Sequence, residues 1–311
     1  MTMEDPGVSH TPVLFREAIE MLNIRRGGRY IDCTLGGGGH GLGVLEASGP
    51  GGRLLGLDAD PEAVKTAGRR LEAYRERLVL AQVNFREILG QVKGTEFYPA
   101  DGIVMDLGMS SIQLDASGRG FSFQRNEPLD MRFDPSQELK ASDVVNRYSL
   151  DRLSKVLLQF GELPRSKKIA SAIIHSRPFA TTSELAELLR KMLGNHKRKT
   201  NPATQGFQAI RIAVNKELEN LELGLIDAIK ILGSGRRIVV ISYHSLEDRI
   251  VKGVLRRAAS DCVCPPRIPV CVCDHVREVR LITKKPVFPT PQEILGNPRS
   301  RSARMRVAEH V

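Results

Sequence analysis

The sequence predicts an α/β protein in which a mainly helical insertion interrupts a domain built on a mostly parallel sheet. Residues 28–108 alternate between short apolar runs and helical patterns, which is typical of successive βαβ units. A further strand-like run returns at residues 236–244. At 311 residues the chain exceeds the usual size of a single core. We therefore predict a sheet domain from residues 1–112 and 206–311, with the insertion at 113–205.

Four short apolar runs give the first strands of the predicted sheet. They read RYIDCTL, GRLLGLD, LVLAQVN and GIVMDLG, beginning at residues 29, 52, 78 and 102. The helix after the second strand is predicted to begin at Pro61, because Asp60 supplies an N-cap and proline suits the first helical turn. Right-handed crossovers place the carboxyl ends of parallel strands along one edge, where ligands bind in such sheets.

The pattern changes between residues 113 and 205, where candidate helices occur without a buried strand. From Phe207 an apolar stripe predicts one long helix, and the glycines of Gly233-Ser-Gly235 predict its end. The run RRIVVISYH follows as a fifth strand. Beyond Arg256 the abundance of Cys, Pro and Arg favours a loop or an extended edge over a core element.

The charge balance favours a polyanionic partner. Lys and Arg number 46 against 36 Asp and Glu, which gives a net charge of +10. Nucleic acid is a better candidate than an anionic membrane surface. Residues 1–13 match neither a secretory signal nor a transit peptide, and no run approaches the roughly 20 apolar residues of a membrane span. We expect a cytoplasmic protein with no membrane partner.

A glycine run between the first strand and a helix predicts a ligand site. Residues 36–41 read GGGGHG, where small residues let the backbone approach a ligand. The run contains G-x-G-x-x-G, so a nicotinamide site is one interpretation, with Asp58 as the ribose-binding acid. S-adenosylmethionine fits better, because three residues separate Asp32 from the glycines and Asp106 ends the fourth strand. These acids suit a ligand with an ammonium and a sulfonium group and no pyrophosphate.

Two further roles follow for residues near the strand ends. Asp58 would accept hydrogen bonds from both ribose hydroxyls, and Phe85 would lie against the adenine ring. Taken alone, Asp58 could instead cap a helix or lie in a solvated loop, and Phe85 could instead pack in the core.

A nicotinamide-dependent oxidoreductase and a non-catalytic RNA-binding assembly factor stay open as other functions. A DNA amino-methyltransferase lacks support, because Leu-Gly-Met follows Asp106 in place of the Pro-Pro-aromatic motif.

Several long motifs in a fixed order resemble the RsmH/MraW family of bacterial ribosomal RNA small-subunit methyltransferases. They cover nearly the whole chain and read HTPVL, DLGMSSIQLD, RGFSF, PLDMRFD, PATQGFQAIRIAVNKELE and SYHSLEDRIVK. The resemblance implies a Rossmann-like class I methyltransferase domain with an inserted helical domain that recognises the substrate. It also implies methylation of the exocyclic N4 of a P-site cytidine in 16S ribosomal RNA, with a homodimer as a possible assembly. Its cofactor contacts map onto Gly38, Gly39, His40, Asp58, Phe85, Asp106 and Gln113.

Asp106 is also the candidate catalytic residue. Its carboxylate could accept a hydrogen bond from the target amine as positive charge develops on nitrogen, or it could bind only the cofactor. Phe121 and Phe123, flanked by Arg119 and Arg125, are candidates for base stacking and phosphate contact, with structural packing as the alternative.

Three other features carry weaker predictions. His244 is better interpreted as a loop histidine than as a general base, with Ser245 and Asp248 capping the next helix. Basic segments at residues 165–168, 197–199 and 299–306 predict at least one RNA-tracking surface. Residues 262–273 contain a Cys-x-Cys, six-residue, Cys-x-Cys arrangement, for which free thiols are favoured over structural zinc, and no metal is expected in the reaction.

Overall fold

The computed structural model describes residues 12–110, 113–114, 118–194, 203–265 and 270–311. The chain divides into two compact units. The first, which we call the sheet unit, comprises residues 1–108 and 221–311. The second, the helical unit, comprises residues 109–220.

One sheet of seven strands forms the sheet unit, in the order β3-β2-β1-β4-β5-β7-β6. Strands β1 to β5 are parallel, whereas β7 runs antiparallel to both β5 and β6. The strands are β1 Arg29–Asp32, β2 Arg53–Asp58, β3 Leu78–Gln82, β4 Ala100–Asp106, β5 Leu232–Ser242, β6 Val279–Leu281 and β7 Arg304–His310. This architecture confirms the predicted α/β class, and the first five strands fall on the predicted apolar runs.

Twelve α-helices are present among the described residues. They are α1 Phe15–Met21, α2 Gly39–Ala47, α3 Pro61–Arg70, α4 Ile88–Val92, α5 Ala141–Arg147, α6 Leu150–Gln159, α7 Ser166–His175, α8 Thr182–Leu193, α9 Ala203–Asn215, α10 Glu217–Ile231, α11 Ser245–Ala258 and α12 Pro291–Gly296. The predicted start of α3 is confirmed, because the Asp60 side chain accepts a hydrogen bond from the Glu62 amide and Pro61 opens the helix.

Both faces of β1, β2 and β4 are buried, which explains their continuous apolar runs, whereas the edge strand β3 is only partly buried. Consecutive residues on β1 point into opposite layers: Tyr30 belongs to one buried cluster and Ile31 to the other. Val104 and Ile103 on β4 divide in the same way. The helices therefore cover both faces of the sheet. A ligand would have to bind at the edge where the parallel strands end.

The helical unit has its own core, which includes residues on α5 to α9. Phe121 lies in that core, 6% exposed and stacked on Phe133 with 5.4 Å between ring centroids. The rings of Phe123 and Phe207 meet edge to face, with 5.1 Å between their centroids. Arg119 donates to the carbonyl groups of Arg132 and Phe133. Phe121 and Phe123 therefore pack inside the helical unit, which favours the structural interpretation over base stacking.

The long helix predicted from Phe207 is in fact two helices, α9 and α10, which meet at Lys216. Lys216 has a left-handed backbone with φ of 50°. The Asn215 side chain stabilises the break, since its Nδ2 donates to the Met131 carbonyl at 2.7 Å and its Oδ1 accepts from the Phe133 amide at 2.8 Å. The apolar stripe continues through the break, so periodicity alone predicts one helix.

The unit boundary also differs from the predicted one. Helix α9 packs against α5, α6 and α8, so it belongs to the helical unit, and the boundary falls after Asn220 within α10 instead of at residue 205. The other boundary lies at Gly108, close to the predicted residue 112.

The expectation of an edge or loop beyond Arg256 is wrong for β7. This strand lies between β5 and β6, and its central residues are buried. Its charged side chains are neutralised: Arg306 donates to Asp248 of α11 at 2.7 Å, and Arg304 donates to the same carboxylate at 3.3 Å. Among the residues described, no helix is both long and apolar enough to cross a membrane.

Candidate cofactor and active site

Acidic residues end three neighbouring strands at the carboxyl edge of the sheet. Asp58 is the last residue of β2, Asp32 of β1 and Asp106 of β4. The chain order reverses between β1 and β4, and this is the switch point at which open α/β sheets bind ligands. Tyr243 follows β5, the next strand along.

The glycine turn lies against this edge. The Gly36 amide donates to Asp58 Oδ2 at 2.8 Å, which joins the turn to the end of β2. Gly38 has φ of 75°, a conformation that side chains rarely adopt, and precedes the first residue of α2. At Gly39 an added Cβ would collide with the ring of Pro12. Gly38 is therefore required by its backbone conformation and Gly39 by the close approach of Pro12, and the turn brings the start of α2 to the acidic strand ends.

His40, in the first turn of α2, is 4% exposed. Its Nε2 lies 3.4 Å from Asp106 Oδ2, and its ring centroid lies 6.0 Å from that of Phe15. Burial lowers the pKa of His40, but the carboxylates of Asp106 and Asp32 outweigh burial and raise it above the usual 6.5. The imidazole therefore tends toward its charged form, facing Asp106.

Asp106 is fixed from several directions. Its Oδ1 accepts a hydrogen bond from the Tyr243 hydroxyl at 2.8 Å, and its backbone amide donates to Thr34 Oγ1 at 2.6 Å. Burial and the neighbouring Asp106 carboxylate raise the pKa of Tyr243 well above its usual 10.0, so the phenol stays a donor. The Asp106 side chain remains 22% exposed and so is accessible to a ligand.

Asp32 is almost completely buried, at 1% exposure. Its Oδ1 accepts from the Thr34 amide at 3.1 Å, whereas Oδ2 has no hydrogen-bond partner among the described residues. Burial raises the pKa of Asp32 to about 6 despite the nearby His40, and the carboxylates of Asp106 and Asp58 add to this. A cationic ligand that donates hydrogen bonds would satisfy this oxygen, and the ammonium group of S-adenosylmethionine has that chemistry.

Asp58 is half-buried, and each of its oxygens already accepts one backbone hydrogen bond. The Asp60 amide donates to Oδ1 at 2.9 Å and the Gly36 amide donates to Oδ2. Burial raises the pKa of Asp58 to about 6, although these two amides oppose the shift. Each carboxylate oxygen has a second lone pair, so the site has the acceptors that a ribose diol needs.

Phe85 and Gln113 are the two remaining predicted contacts. Phe85 begins a short 3-10 helix after β3, and its ring is seated against Gly224, where an added Cβ would lie 2.6 Å from the ring. Gln113 belongs to the helical unit and is buried there, and its Oε1 accepts from the Ser110 amide at 3.0 Å. The structure thus brings Gly38, Gly39, His40, Asp58 and Asp106 to one edge of the sheet unit, whereas the placement of Gln113 beside them is a proposal.

The predicted cap of the helix after β5 is displaced by one residue. His244 is the N-cap of α11, with Nδ1 accepting from the Glu247 amide at 3.3 Å, and Glu247 Oε2 accepts from the Tyr243 and His244 amides. Asp248 pairs with Arg306 instead. His244 therefore has a capping role, which favours the loop histidine that we expected.

Sequence reasoning missed Tyr243 and Thr34 as parts of the site. Asp32 served to favour S-adenosylmethionine over a nicotinamide cofactor, but it was not predicted to contact the cofactor. The available signal for Tyr243 was its position immediately after β5, on the same edge as the acids. Thr34 lies between Asp32 and the glycines, and its hydroxyl joins the glycine turn to β4.

The fold and this site define a class I methyltransferase that uses S-adenosylmethionine. The sequence model of the MraW methylase family matches residues 7–311, and the chain belongs to that family. Membership rules out the nicotinamide-dependent oxidoreductase.

Relatives of this chain carry the name ribosomal RNA small subunit methyltransferase H. The one from Dehalococcoides mccartyi (strain 195) is 51% identical, over 97% of this chain and 86% of its own length. The relative from Thermomicrobium roseum is 49% identical, over 100% of this chain and 97% of its own. The Clostridioides difficile protein is 44% identical, over 97% of this chain and 99% of its own.

Proposed function

We propose that this protein transfers a methyl group from S-adenosylmethionine to the exocyclic N4 of a P-site cytidine in 16S ribosomal RNA. The observation that carries the proposal is the meeting of Asp32, His40 and Asp106 at the switch point of the sheet. Family membership and the names of the relatives support ribosomal RNA as the substrate. The P site and the N4 atom come from the motif resemblance alone. A cytoplasmic location follows from that substrate.

The residues present fit the cofactor. S-adenosylmethionine, when bound, supplies a methyl group activated by a sulfonium cation. Asp32 would accept hydrogen bonds from its ammonium group, Asp58 would accept from its ribose hydroxyls, and the Gly38–Gly39 backbone would lie against it. Phe85 would cover the adenine ring, and Gln113 stays a cofactor contact that the motif resemblance alone implies.

Asp106 is the residue that we assign to the target base. The N4 amine is a poor nucleophile because its lone pair is delocalised into the pyrimidine, and it must release a proton when it is methylated. The partly exposed Asp106 carboxylate can accept an N–H hydrogen bond that strengthens as charge develops on nitrogen. Tyr243 and His40 hold that carboxylate from two sides, so the acceptor is positioned before the base arrives.

We assign phosphate contact to Arg165, Lys167 and Lys168, which are exposed on the helical unit. The segment 299–306 is the weaker candidate, because Arg304 and Arg306 are engaged by Asp248, although Arg299 and Arg301 are exposed. The segment 197–199 lies outside the described residues. The homodimer stays a prediction from the resemblance.

Transfer of label to the ribosome tests the proposal. The purified protein would be incubated with methyl-labelled donor and small subunits from a strain that lacks the activity, and the modified nucleotide would be mapped by mass spectrometry. We expect label on N4 of one cytidine in the P site, and label on another base or on protein would contradict the assignment. An Asp106→Asn variant that binds the donor normally should lose most turnover, and full turnover in that variant would remove the catalytic role.

A further inference from the structure

The loop between α11 and β6 brings four cysteine side chains together. Cys262 and Cys271 Sγ atoms lie 3.4 Å apart, Cys271 and Cys273 3.5 Å, Cys262 and Cys273 3.8 Å, and Cys264 and Cys271 4.0 Å. All four sulfur atoms lie within 4.8 Å of one another. We call these four residues the cysteine cluster. Two Cys-x-Cys pairs thus face each other across the loop.

Backbone amides point at the sulfur atoms of the cluster. The Val263 amide donates to Cys273, the Cys264 amide to Cys262 and the Val272 amide to Cys264, each with 3.4 Å between nitrogen and sulfur. Hydrogen bonds of this kind stabilise a thiolate and reduce the negative charge on it. Three of the four sulfur atoms therefore face an amide donor that would stabilise a thiolate bound to a metal.

Apolar packing does not account for this arrangement. Val270, Val272 and Val276 are 70%, 71% and 75% exposed, so the loop has little hydrophobic contact of its own around the cysteines. Cys262 and Cys271 are exposed as well. Short segments that lack a core are commonly held by disulfides or a metal, and the observed sulfur separations are too long for disulfide bonds.

We propose that Cys262, Cys264, Cys271 and Cys273 bind one zinc ion in a tetrahedral site that holds the loop between α11 and β6. With zinc–sulfur bonds of about 2.3 Å, the edges of a regular tetrahedron are about 3.8 Å, and the four measured separations lie on either side of this value. A set of four thiolates selects a soft or borderline metal. His275 does not belong to the group of four sulfur atoms, and its Nε2 lies 2.9 Å from the Arg257 carbonyl. The site is structural, since four protein ligands leave no open position.

Metal analysis of the whole protein tests the site. Protein expressed with zinc in the medium and purified without chelator would be analysed by elemental mass spectrometry, and we expect about one zinc ion per chain. A Cys262→Ser/Cys271→Ser variant should lose nearly all of it. Cys33→Ala, which removes the buried cysteine that follows β1 and leaves the cluster intact, should keep it.

A second measurement avoids any dependence on folding of the double variant. In the native protein the four thiols should react slowly with an alkylating agent and become reactive when a chelator is added. Replacement of zinc by Co²⁺ should give the intense visible absorption of tetrahedral thiolate coordination. Wild-type protein that binds no zinc even after reduction and reconstitution would overturn the proposal. So would stoichiometric iron or copper, or disulfides among these cysteines.

Discussion

The Tyr243 hydroxyl donates a 2.8 Å hydrogen bond to Oδ1 of Asp106. These residues come from the ends of the adjacent strands β5 and β4, and His40 lies 3.4 Å from the other carboxylate oxygen of Asp106. The carboxylate is thus held between a neutral donor and a histidine whose pKa is raised. Its orientation is set before either the cofactor or the RNA binds.

Tyr243→Phe removes this hydrogen bond while keeping the ring. Because a hydrogen bond to a charged group contributes about 1.5–3 kcal/mol, we expect turnover to fall by about one to two orders of magnitude. Donor affinity should change less, because Asp32 and Asp58 remain intact. Single-turnover rates and calorimetry with S-adenosylmethionine would measure the two effects separately. If the single-turnover rate and the affinity for S-adenosylmethionine fell equally, Tyr243 would instead have a role in cofactor binding.

Asp58→Asn should weaken donor binding. The variant removes the charge and replaces an acceptor oxygen by an NH₂ group, which leaves either a ribose hydroxyl or the Gly36 amide without its acceptor. We expect a loss of about tenfold to a hundredfold in affinity for S-adenosylmethionine. Asp227→Asn is the matched control, since Asp227 pairs with Lys230 on the surface of the sheet unit. Unchanged affinity in Asp58→Asn would remove Asp58 from the proposed site.

The raised pKa values make the unliganded protein less stable as the pH rises. Asp32 and Asp58 have pKa values of about 6 in the folded protein, against 3.8 ordinarily. Between about pH 4 and pH 6 the folded state therefore holds more protons than the unfolded state, and the free energy of unfolding falls as the pH rises through that window. The loss is complete above about pH 6. In Asp32→Asn the free energy of unfolding should decrease less over this pH window, because one of the two titrating carboxyl groups is gone. Denaturant unfolding at a series of pH values would measure the difference.

Donor binding should show the opposite trend. The cation favours the ionised carboxylates, so affinity for S-adenosylmethionine should weaken as the pH falls below about 6. Each carboxyl linked to binding contributes up to about tenfold per pH unit. Calorimetry in buffers of different ionisation enthalpy would report proton release on binding. Affinity that stays constant from about pH 7 to pH 5 would contradict the assigned roles of Asp32 and Asp58.

The positions of the first five strands and the acidic edge could be predicted because their signals are local. Strands buried on both faces produce uninterrupted apolar runs, and an acid ends β1, β2 and β4. The break at Lys216 could not be predicted in this way, because Asn215 is fixed by Met131 and Phe133, more than 80 residues earlier. The buried position of β7 likewise depends on the pairing of Arg306 with Asp248.

Within the site, local patterns indicated the residues but not their partners. Glycines and acids were visible as residue types at strand ends. The bond between Tyr243 and Asp106 joins residues 137 positions apart, and no periodicity encodes it. The helix cap after β5 shifted by one residue because a histidine nitrogen served as the acceptor in place of the expected serine hydroxyl.

Asn215→Ala should destabilise the helical unit. The variant leaves the Phe133 amide without its acceptor and the Met131 carbonyl without its donor, so we expect a loss of about 2 kcal/mol in the free energy of unfolding. Gln159→Ala, at an exposed position of α6, is the control and should change stability little. Denaturant unfolding followed by circular dichroism would give both values. Equal stability of the two variants would show that the break at Lys216 does not depend on Asn215.

Lys167 and Lys168, exposed on α7, should contact phosphate groups if the helical unit binds RNA. Lys167→Ala/Lys168→Ala should weaken binding to the small subunit and reduce the slope of log affinity against log salt by about 1 for each lysine. Lys65→Ala/Lys93→Ala removes the same charge from the sheet unit and controls for net charge. The two double variants would be compared by subunit binding over a range of salt. If both lose affinity equally, only overall charge matters. A loss confined to the α7 variant, with donor affinity unchanged, would place the RNA-tracking surface on the helical unit.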